Sequence, residues 1–207
     1  MALEKGLLNI IITGVGGQGN VVASRIFASA AVQDGFYVSV GETYGAAQRG
    51  GAVMSHVRLS EETQYGPLTP EGRAHIILGF EPIECLRTIG SFGNEKTKVI
   101  VNPRPVYPID VLSGASKYPA VEDVLKAIKE LVHSVHVVEA TELAKRAGDP
   151  IMQNVVMVGC LAGSEFTPVR VETLRGVIKE TFAKRRPEAN LKAFELGVKE
   201  IKRTKPL

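Results

Sequence analysis

The stretch "LLNIIITGVGGQGNVVASRIFASAAVQDG", residues 7–35, contains the clearest indications of the fold. Its first part, Leu7–Thr13, is an apolar run rich in isoleucine, which is typical of a buried parallel strand. Its last part, Gln18–Asp34, repeats apolar residues on one helical face and stops at Gly35, as a helix before a C-terminal glycine does. The segment "GVGGQGN", residues 14–20, joins the two and is called the glycine turn here. The sequence therefore predicts a strand, a glycine turn and a helix.

The rest of the chain alternates further predicted strands and helices. Strands are predicted at 36–40, 52–59, 74–80, 97–102 and 134–140, and helices at 81–90, 120–133, 141–147, 149–161, 171–185 and 187–202. Residues 52–59 alternate small, apolar and polar side chains where a regular Rossmann unit would have a helix. We therefore predict an α/β fold of three layers, α/β/α. It has a Rossmann-like, mostly parallel sheet with an added hairpin-like strand and C-terminal helices.

Length and composition fit one domain over residues 1–207, since 44% of the residues are hydrophobic and 23% are charged. A net charge of +3 is too small to indicate a nucleic-acid partner. The basic stretches at 183–186 and 201–206 are interpreted as solvated helix ends. The N-terminal apolar run is too short for a membrane span and follows no leader pattern, so we expect a soluble cytoplasmic protein without a membrane partner.

Two cysteines, Cys85 and Cys160, lie far apart in the sequence. A zinc site or an iron–sulfur cluster needs about four soft ligands at close spacings, so we expect this chain alone to hold neither. Cys160 falls in an apolar helix and is interpreted as a small core residue. The low cysteine count suits a reducing cytosol.

The glycine turn matches G-x-G-x-x-G at Gly14, Gly16 and Gly19, between a predicted strand and a predicted helix. Glycines allow a sharp turn and the close approach of a phosphate to a helix N-terminus. Glu42 lies about where a dinucleotide-binding domain has its ribose-binding carboxylate, but the crossover helix expected after it is missing. Three interpretations remain open: a dinucleotide site, a site for another anion, and a turn that serves packing alone.

A second glycine-rich loop, "TYGAAQRGG" at 43–51, follows the second predicted strand. Its Tyr44, Gln48 and Arg49 can stack on, hydrogen-bond to and neutralise a phosphate or carboxylate. The alternative is that Arg49 pairs with an internal carboxylate and that Tyr44 fills a subunit contact. Because the carboxyl ends of parallel strands share one edge, we expect this loop to lie near the glycine turn.

No catalytic constellation emerges from the sequence. There is no Ser-His-Asp or Cys-His pattern, no metal-ligand spacing, and no thiamine diphosphate–magnesium motif. We therefore assign no catalytic residue and no metal ligand to this chain. His56 is interpreted as a structural histidine on a strand. An apparent ligand edge without a reactive group indicates that the site needs another chain.

The segments "ITGVGGQGNVVASRIFASAA", "GETYGAAQRGGAVMSHVRLS" and "DPIMQNVVMVGCLAG" resemble the gamma-type catalytic domain of 2-oxoacid:ferredoxin oxidoreductases. The resemblance covers essentially the whole chain, and the "AQRGG" form is most similar to the branch that acts on indolepyruvate. It implies a small subunit, inactive alone, that walls a thiamine–coenzyme A site made with a large subunit. That partner would carry thiamine diphosphate, magnesium and iron–sulfur clusters. The complex would convert an aryl pyruvate and coenzyme A to acyl-CoA, CO2 and reduced ferredoxin.

The resemblance, together with the two loops, gives a set of residues expected to face ligand or cofactor. They are Gly14, Gly16, Gly17, Gln18, Gly19, Asn20, Tyr44, Gln48, Arg49, Gly50 and Gly51. Two other functions stay open: a self-sufficient NAD(P)- or flavin-dependent oxidoreductase, and a non-enzymatic assembly subunit whose loops are contact surface.

Overall fold

A computed structural model describes residues 6–44, 51–107 and 109–207, without the side chains of residues 109 and 110. The strands are β1 (Leu7–Val15), β2 (Tyr37–Tyr44), β3 (Ala52–Ser60), β4 (Ile76–Gly79), β5 (Lys98–Val101) and β6 (Ser134–Val137). The helices are α1 (Asn20–Gln33), α2 (Pro82–Phe92), α3 (Ile109–Leu112), α4 (Val121–Leu131), α5 (Ala140–Ala147), α6 (Gln153–Gly163), α7 (Val171–Thr181) and α8 (Pro187–Ile201). A 3-10 turn, Pro150–Met152, precedes α6.

The six strands form one sheet in the order β2-β3-β1-β4-β5-β6. β1, β4, β5 and β6 are parallel, and β3 runs antiparallel between β1 and β2. The predicted mostly parallel sheet with a hairpin-like strand is confirmed. β3 separates β2 from β1, so the second strand is not the immediate neighbour of the first as it is in a regular Rossmann unit.

Alternation along the strands divides the core between the two faces of the sheet. Ile10 and Ile12 point to the face covered by α1 and the C-terminal helices, whereas Ile11 points to the face covered by α2 and α4. All three side chains are fully buried, which explains the apolar run in the sequence. The result is the predicted three-layer arrangement.

Several predicted boundaries move for local physical reasons. β1 continues through Val15 because β3 pairs with it to the end, opposite Ala52. α7 ends at Thr181 rather than at residue 185. Pro187 disfavours the right-handed helical conformation at Arg186, which takes a left-handed one with φ 51° and starts α8. The region between β5 and α4 includes the short helix α3.

The C-terminus closes the far edge of the sheet, where the backbone N–H of Leu207 donates to the carbonyl of Val135 at 2.9 Å. On the opposite side of the fold, Asp34 after α1 accepts hydrogen bonds from Arg170 and from the Thr173 hydroxyl at the start of α7. Burial alone would raise the pKa of Asp34, but these hydrogen bonds hold it below its usual value. Within the described ranges, no helix combines the length and the apolar character needed to cross a membrane.

Candidate functional site at the carboxyl edge of the sheet

The glycine turn lies where β1 gives way to α1, and its glycines have different tasks. A Cβ at Gly14 would stand 2.9 Å from the Cβ of Phe80, so this position permits β1 and the end of β4 to pack closely. Gly17 and Gly19 have φ of 105° and 87°, a region that L-amino acids with side chains rarely adopt. The amide of Gly16 donates to the carbonyl of Gly51 at 2.8 Å, which joins the turn to the start of β3.

Gln18 braces the turn from within. Its side-chain oxygen accepts from the amide of Val15 at 2.7 Å, and its side-chain nitrogen donates to the carbonyl of Phe80 at 3.0 Å. The side chain is 8% exposed. The Gln18 amide group is therefore occupied by the protein, and its observed role is to fix the turn.

An inner cleft of about 570 Å³ opens beside the turn and includes Gly16, Gly17, Gly19, Asn20 and Tyr44 in its wall. Asn20 begins α1, is 3% exposed, and donates from its side-chain nitrogen to the carbonyl of Val53 at 3.1 Å. Its side-chain oxygen accepts no hydrogen bond from the residues that the structure describes. A buried acceptor without a partner is costly, and this oxygen belongs to the residue that begins α1 at the wall of the inner cleft.

Tyr44 ends β2 with half of its side chain exposed at the inner cleft. Its hydroxyl donates to the carboxylate of Glu42, and this hydrogen bond raises the pKa of the Tyr44 hydroxyl. Gln48, Arg49 and Gly50 lie outside the described residues, so their predicted ligand contacts stay predictions.

Glu42 does not stand where a dinucleotide-binding carboxylate is needed. It pairs with Ser55 of β3, and Ser55 pairs with Ile12 of β1, which puts Glu42 two strand spacings, roughly 9–10 Å, from β1. Glu42 also lines a separate groove with Arg25 and Val40 on the outer side of α1. The inserted strand β3 therefore removes the geometric support for a self-sufficient dinucleotide site of the Rossmann type.

An outer cleft of about 700 Å³ lies on the other side of the turn and shares Gly17, Gly19 and Val22 with the inner cleft. Its lining also includes Lys184, Arg185 and Arg186, called the basic arm here. The amide nitrogen of Asn154 stands 2.4 Å from the position of a Cβ at Gly19, so α6 packs directly against the turn. The basic stretch at 183–186 was predicted to be a solvated helix end; its residues are exposed just after the end of α7, and Lys184, Arg185 and Arg186 also line the outer cleft.

Sequence reasoning missed the residues that build the outer cleft. Asn190 of α8 is 5% exposed and donates from its side chain to the carbonyls of Arg185 and Arg186 at 3.1 and 3.0 Å. Arg186 pairs with Asp149 at 3.2 Å. The sequence feature that could have pointed to them is the run "KRRP" between two helices. Nothing in the sequence indicates that this run lines a cleft together with residues more than 160 positions earlier.

The candidate reactive groups of the sequence have structural roles. Burial raises the pKa of the Cys85 and Cys160 thiols far above the neutral range, and Cys160 is a fully buried core residue as predicted. The ring of His56 is buried, accepts from the amide of Thr69 at 3.4 Å and meets Phe92 edge to face. Among the described residues, no group of three His, Cys, Asp or Glu side chains could hold a metal ion.

The fold and this edge belong to a recognisable class of protein. The chain belongs to the pyruvate ferredoxin/flavodoxin oxidoreductase family, whose model matches residues 9–200. The indolepyruvate oxidoreductase subunit IorB of Archaeoglobus fulgidus is 40% identical over 190 residues, which cover 92% of this chain and 93% of the relative. The corresponding subunit of Pyrococcus horikoshii is 38% identical over 195 residues, which cover 94% and 96%.

Solved structures share the fold at low sequence identity. The gamma subunit of a keto/oxoacid ferredoxin oxidoreductase from Geobacter sulfurreducens superimposes with a TM-score of 0.66 at 22% identity, covering 95% of this chain and 99% of that one. The 2-oxoglutarate:ferredoxin oxidoreductase of Magnetococcus marinus, solved with 2-oxoglutarate, coenzyme A and succinyl-CoA bound, gives a TM-score of 0.74 at 23% identity. That match covers 99% of this chain but 32% of the longer protein, so this chain spans about a third of it.

Proposed function

We propose that this chain is the small subunit of a heteromeric indolepyruvate:ferredoxin oxidoreductase. The observation that carries the proposal is the 40% identity to an indolepyruvate oxidoreductase subunit over nearly the full length of both chains. The complex oxidatively decarboxylates an aryl pyruvate, transfers the acyl group to coenzyme A and passes the electrons to ferredoxin. The products are acyl-CoA, CO2 and reduced ferredoxin.

The reactive cofactors belong to a larger partner subunit in this proposal. The described part of the chain contains no metal-binding cluster, and its two thiols are buried. In this proposal the partner would hold thiamine diphosphate with magnesium, which would supply the decarboxylation chemistry, and iron–sulfur clusters, which would conduct the electrons. The small subunit contributes a wall of the site, and its own residues bind and orient the co-substrate.

The inner cleft is the surface that serves this purpose. Among the described residues no side chain caps the start of α1, and the positive end of its helix dipole favours an anionic group at Gly17 to Gly19. Arg49 adds a cation from the neighbouring loop. We assign these groups to a phosphate of coenzyme A or to the carboxylate of the oxoacid. A charge-assisted contact of this kind contributes about 1.5–3 kcal/mol.

Exposed apolar side chains around both clefts support a partner surface at the same edge. Val22, Tyr44 and Ile151 are 38%, 54% and 69% exposed and line the clefts. Large apolar side chains grouped around a polar cleft are typical of a surface that a second chain covers. This chain then closes the site with the large subunit instead of working alone.

Purification under anaerobic conditions tests the proposal. The tagged chain is recovered from its own cell extract, and the eluate is assayed for iron, for thiamine diphosphate and for ferredoxin reduction with indolepyruvate and coenzyme A. We expect a large, brown, thiamine-containing partner and faster reduction with indolepyruvate than with pyruvate. A colourless chain recovered alone, or a complex that prefers pyruvate or 2-oxoglutarate, would contradict the proposal.

A further inference from the structure

The two edge strands of the sheet, β2 and β6, differ in how well the chain protects them. β6 has four residues and is covered in part, because the amide of Leu207 donates to the carbonyl of Val135. β2 has eight residues and pairs with β3 in a continuous register. It contains neither lysine nor proline, which commonly protect an exposed edge, and among the described residues no strand lies beyond it. β2 therefore has the properties of an edge that accepts a further strand.

The direction of the backbone groups shows which residues of β2 would bind that strand. The carbonyls of Asn9 and Thr13 in β1 point toward the β4 side, where they accept hydrogen bonds at 2.9 and 2.8 Å. Because successive residues of a strand alternate in direction, the even-numbered residues of β1 point toward β3. The pairing registers carry this alternation to β2, whose odd-numbered residues therefore bond to β3. The residues of β2 whose N–H and C=O groups point out of the sheet are Val38, Val40, Glu42 and Tyr44.

The outward-bonding residues border a groove between β2 and α1. Val40 and Glu42 line this groove of about 560 Å³ together with Arg25, Ala28 and Ser29 of α1. Val40 is 37% exposed, and Arg25 makes no ion pair with the described residues. Ala28 and Ser29 have small side chains, which leave room for a second helix beside α1. The edge thus combines free backbone groups, an exposed apolar side chain and an unpaired cation.

We propose that the β2 edge pairs with β2 of a second copy of this chain, antiparallel and about a two-fold axis at Gly41. The two six-stranded sheets then form one continuous sheet. In this register Val40 lies opposite Glu42 of the second copy and Val38 lies opposite its Tyr44, so all four outward-bonding residues are paired. An axis at Glu42 would place two carboxylates directly opposite each other, and an axis at Val40 would leave Tyr44 without a partner in the strand.

The position of α1 fits this pairing. α1 packs on both β2 and β3, so its axis lies about half a strand spacing inside β2. Two β2 strands at the usual spacing of about 4.8 Å therefore bring the two α1 helices to about 10 Å from each other. Packed helices lie about 8–10 Å apart. Because the groove residues of α1 lie beside Val40 and Glu42, the middle of one α1 meets the middle of the other at the axis.

Charge complementarity favours a second copy over an unrelated strand. Glu42 of one copy lies opposite Val40 of the other, and Val40 shares its groove with Arg25. The pairing thus brings Glu42 of each copy next to Arg25 of the other, and the two-fold axis repeats the contact. Within one chain these two side chains form no ion pair. Each copy supplies a counter-ion for the charge that the other leaves unpaired.

Sedimentation equilibrium of the full-length chain tests the pairing with Val40→Pro. The N–H of Val40 points out of the sheet, so proline removes hydrogen bonds of the proposed dimer and none to β3. We expect a dimeric wild type and a dissociation constant at least about tenfold higher for Val40→Pro. Val40→Thr keeps the N–H and the branched side chain, and as the matched control it should stay dimeric. A monomeric wild type, or equal dissociation constants for wild type and a folded Val40→Pro, overturns the proposal.

A mixture of two charge reversals tests the register and does not depend on proline. Arg25→Glu leaves only carboxylates at this position and Glu42→Arg leaves only cations, so each variant alone should dimerise at least about tenfold more weakly than wild type. Mixed in equal amounts, the two chains restore both contacts across the axis and should form a heterodimer with nearly the wild-type affinity. An attraction within one chain cannot produce this rescue, because each variant carries like charges. Failure of the mixture to associate overturns the proposed register.

Purification of the complex distinguishes a second copy from a strand of another subunit. If the β2 edge binds a second copy, Val40→Pro should still recover the large partner from cell extract while the isolated variant chain is monomeric. If Val40→Pro loses the large partner and the isolated wild-type chain is monomeric, the edge belongs to that partner and the proposal is wrong. Circular dichroism of each variant verifies that the chain is folded.

Discussion

Two sets of glycines in this molecule do opposite things. Between α6 and α8, a Cβ at Gly159 would stand 2.2 Å from the carbonyl oxygen of Phe194, and one at Gly197 would stand 2.1 Å from that of Val156. In the glycine turn, a Cβ at Gly17 would meet no described atom within 4 Å. The first set allows two helix backbones to touch, and the second keeps a turn conformation beside a space left for a ligand. Substitutions should therefore affect stability in one region and ligand binding in the other.

The largest effect is expected from Gly159→Ala. The new methyl group meets backbone atoms that cannot move aside, so α6 and α8 must separate, and we expect a loss of about 3 kcal/mol in the free energy of unfolding. For a chain of this size the melting temperature should fall by about 6–12 °C. Thermal unfolding followed by circular dichroism measures it.

Gly176→Ala in α7 is the matched control, because a Cβ there meets no described atom within 4 Å in an ordinary helical conformation. We expect it to be neutral or to stabilise by up to about 1 kcal/mol. Equal destabilisation by Gly159→Ala and Gly176→Ala would show that close packing of α6 on α8 is not what requires glycine.

Arg49→Ala tests ligand binding and leaves the packed helices α6 and α8 unchanged in sequence. If Arg49 contacts a phosphate or carboxylate, turnover of the assembled complex should fall about tenfold to a hundredfold. Steady-state ferredoxin reduction provides the measurement, with size-exclusion chromatography to verify assembly. An unchanged rate in an intact complex rejects the role of Arg49 in ligand binding. Loss of the complex itself would instead assign the loop to partner contact.

Gly17→Ala tests the glycine turn, because it adds a side chain to open space at a position with positive φ. With φ at 105°, we expect a loss of about 1–2 kcal/mol in stability, smaller than that of Gly159→Ala. The methyl group also enters both clefts, so the KM for coenzyme A should rise about tenfold. Both quantities are measured on the same preparation. A stability loss larger than that of Gly159→Ala would contradict the assignment of Gly17 to an open turn.

The smallest effect concerns pH and involves the sheet rather than the glycines. Burial, and then the charge of Arg58, lower the pKa of His56, so the folded chain holds this ring neutral. The unfolded chain binds the proton more readily, and stability should decline as the pH falls below about 6.5. Urea unfolding at pH 7.5 and 5.5, with wild type and His56→Gln, tests this. His56→Gln should show the smaller decline, and an equal decline would assign it to other groups.

The sequence predicted the parts of the fold that depend on local periodicity. The isoleucine run of β1, the glycine turn and the apolar face of α1 are signals between neighbours in the chain, and all appear in the structure. The order of the strands in the sheet could not be predicted from such local signals. The insertion of β3 between β1 and β2 depends on pairing between distant segments, and this insertion is what moves Glu42 away from the glycine turn.

The residues of the site likewise fall into those that a local motif predicted and those that only the fold brings to the site. The glycine turn correctly indicated three residues that line the inner cleft, which are Gly17, Gly19 and Asn20. Gln18 was predicted with them, but its side chain makes hydrogen bonds within the protein that hold the turn in place. The basic arm was missed because a run of cations looks the same in the sequence whether it faces solvent or a cleft.

Local sequence patterns were enough to predict the class of fold, the position of the glycine turn and the resemblance to 2-oxoacid:ferredoxin oxidoreductases. All three depend on the type and spacing of residues within short segments of the chain. The contacts between distant segments were needed to show which glycines serve packing, that Glu42 is displaced, and that Lys184 and Arg185 line a cleft with Gly17 and Gly19. The physical reason is that these placements depend on hydrophobic burial between segments that are far apart in the chain. Because hydrophobic burial is not directional, it produces no local sequence pattern that shows which distant segments come together.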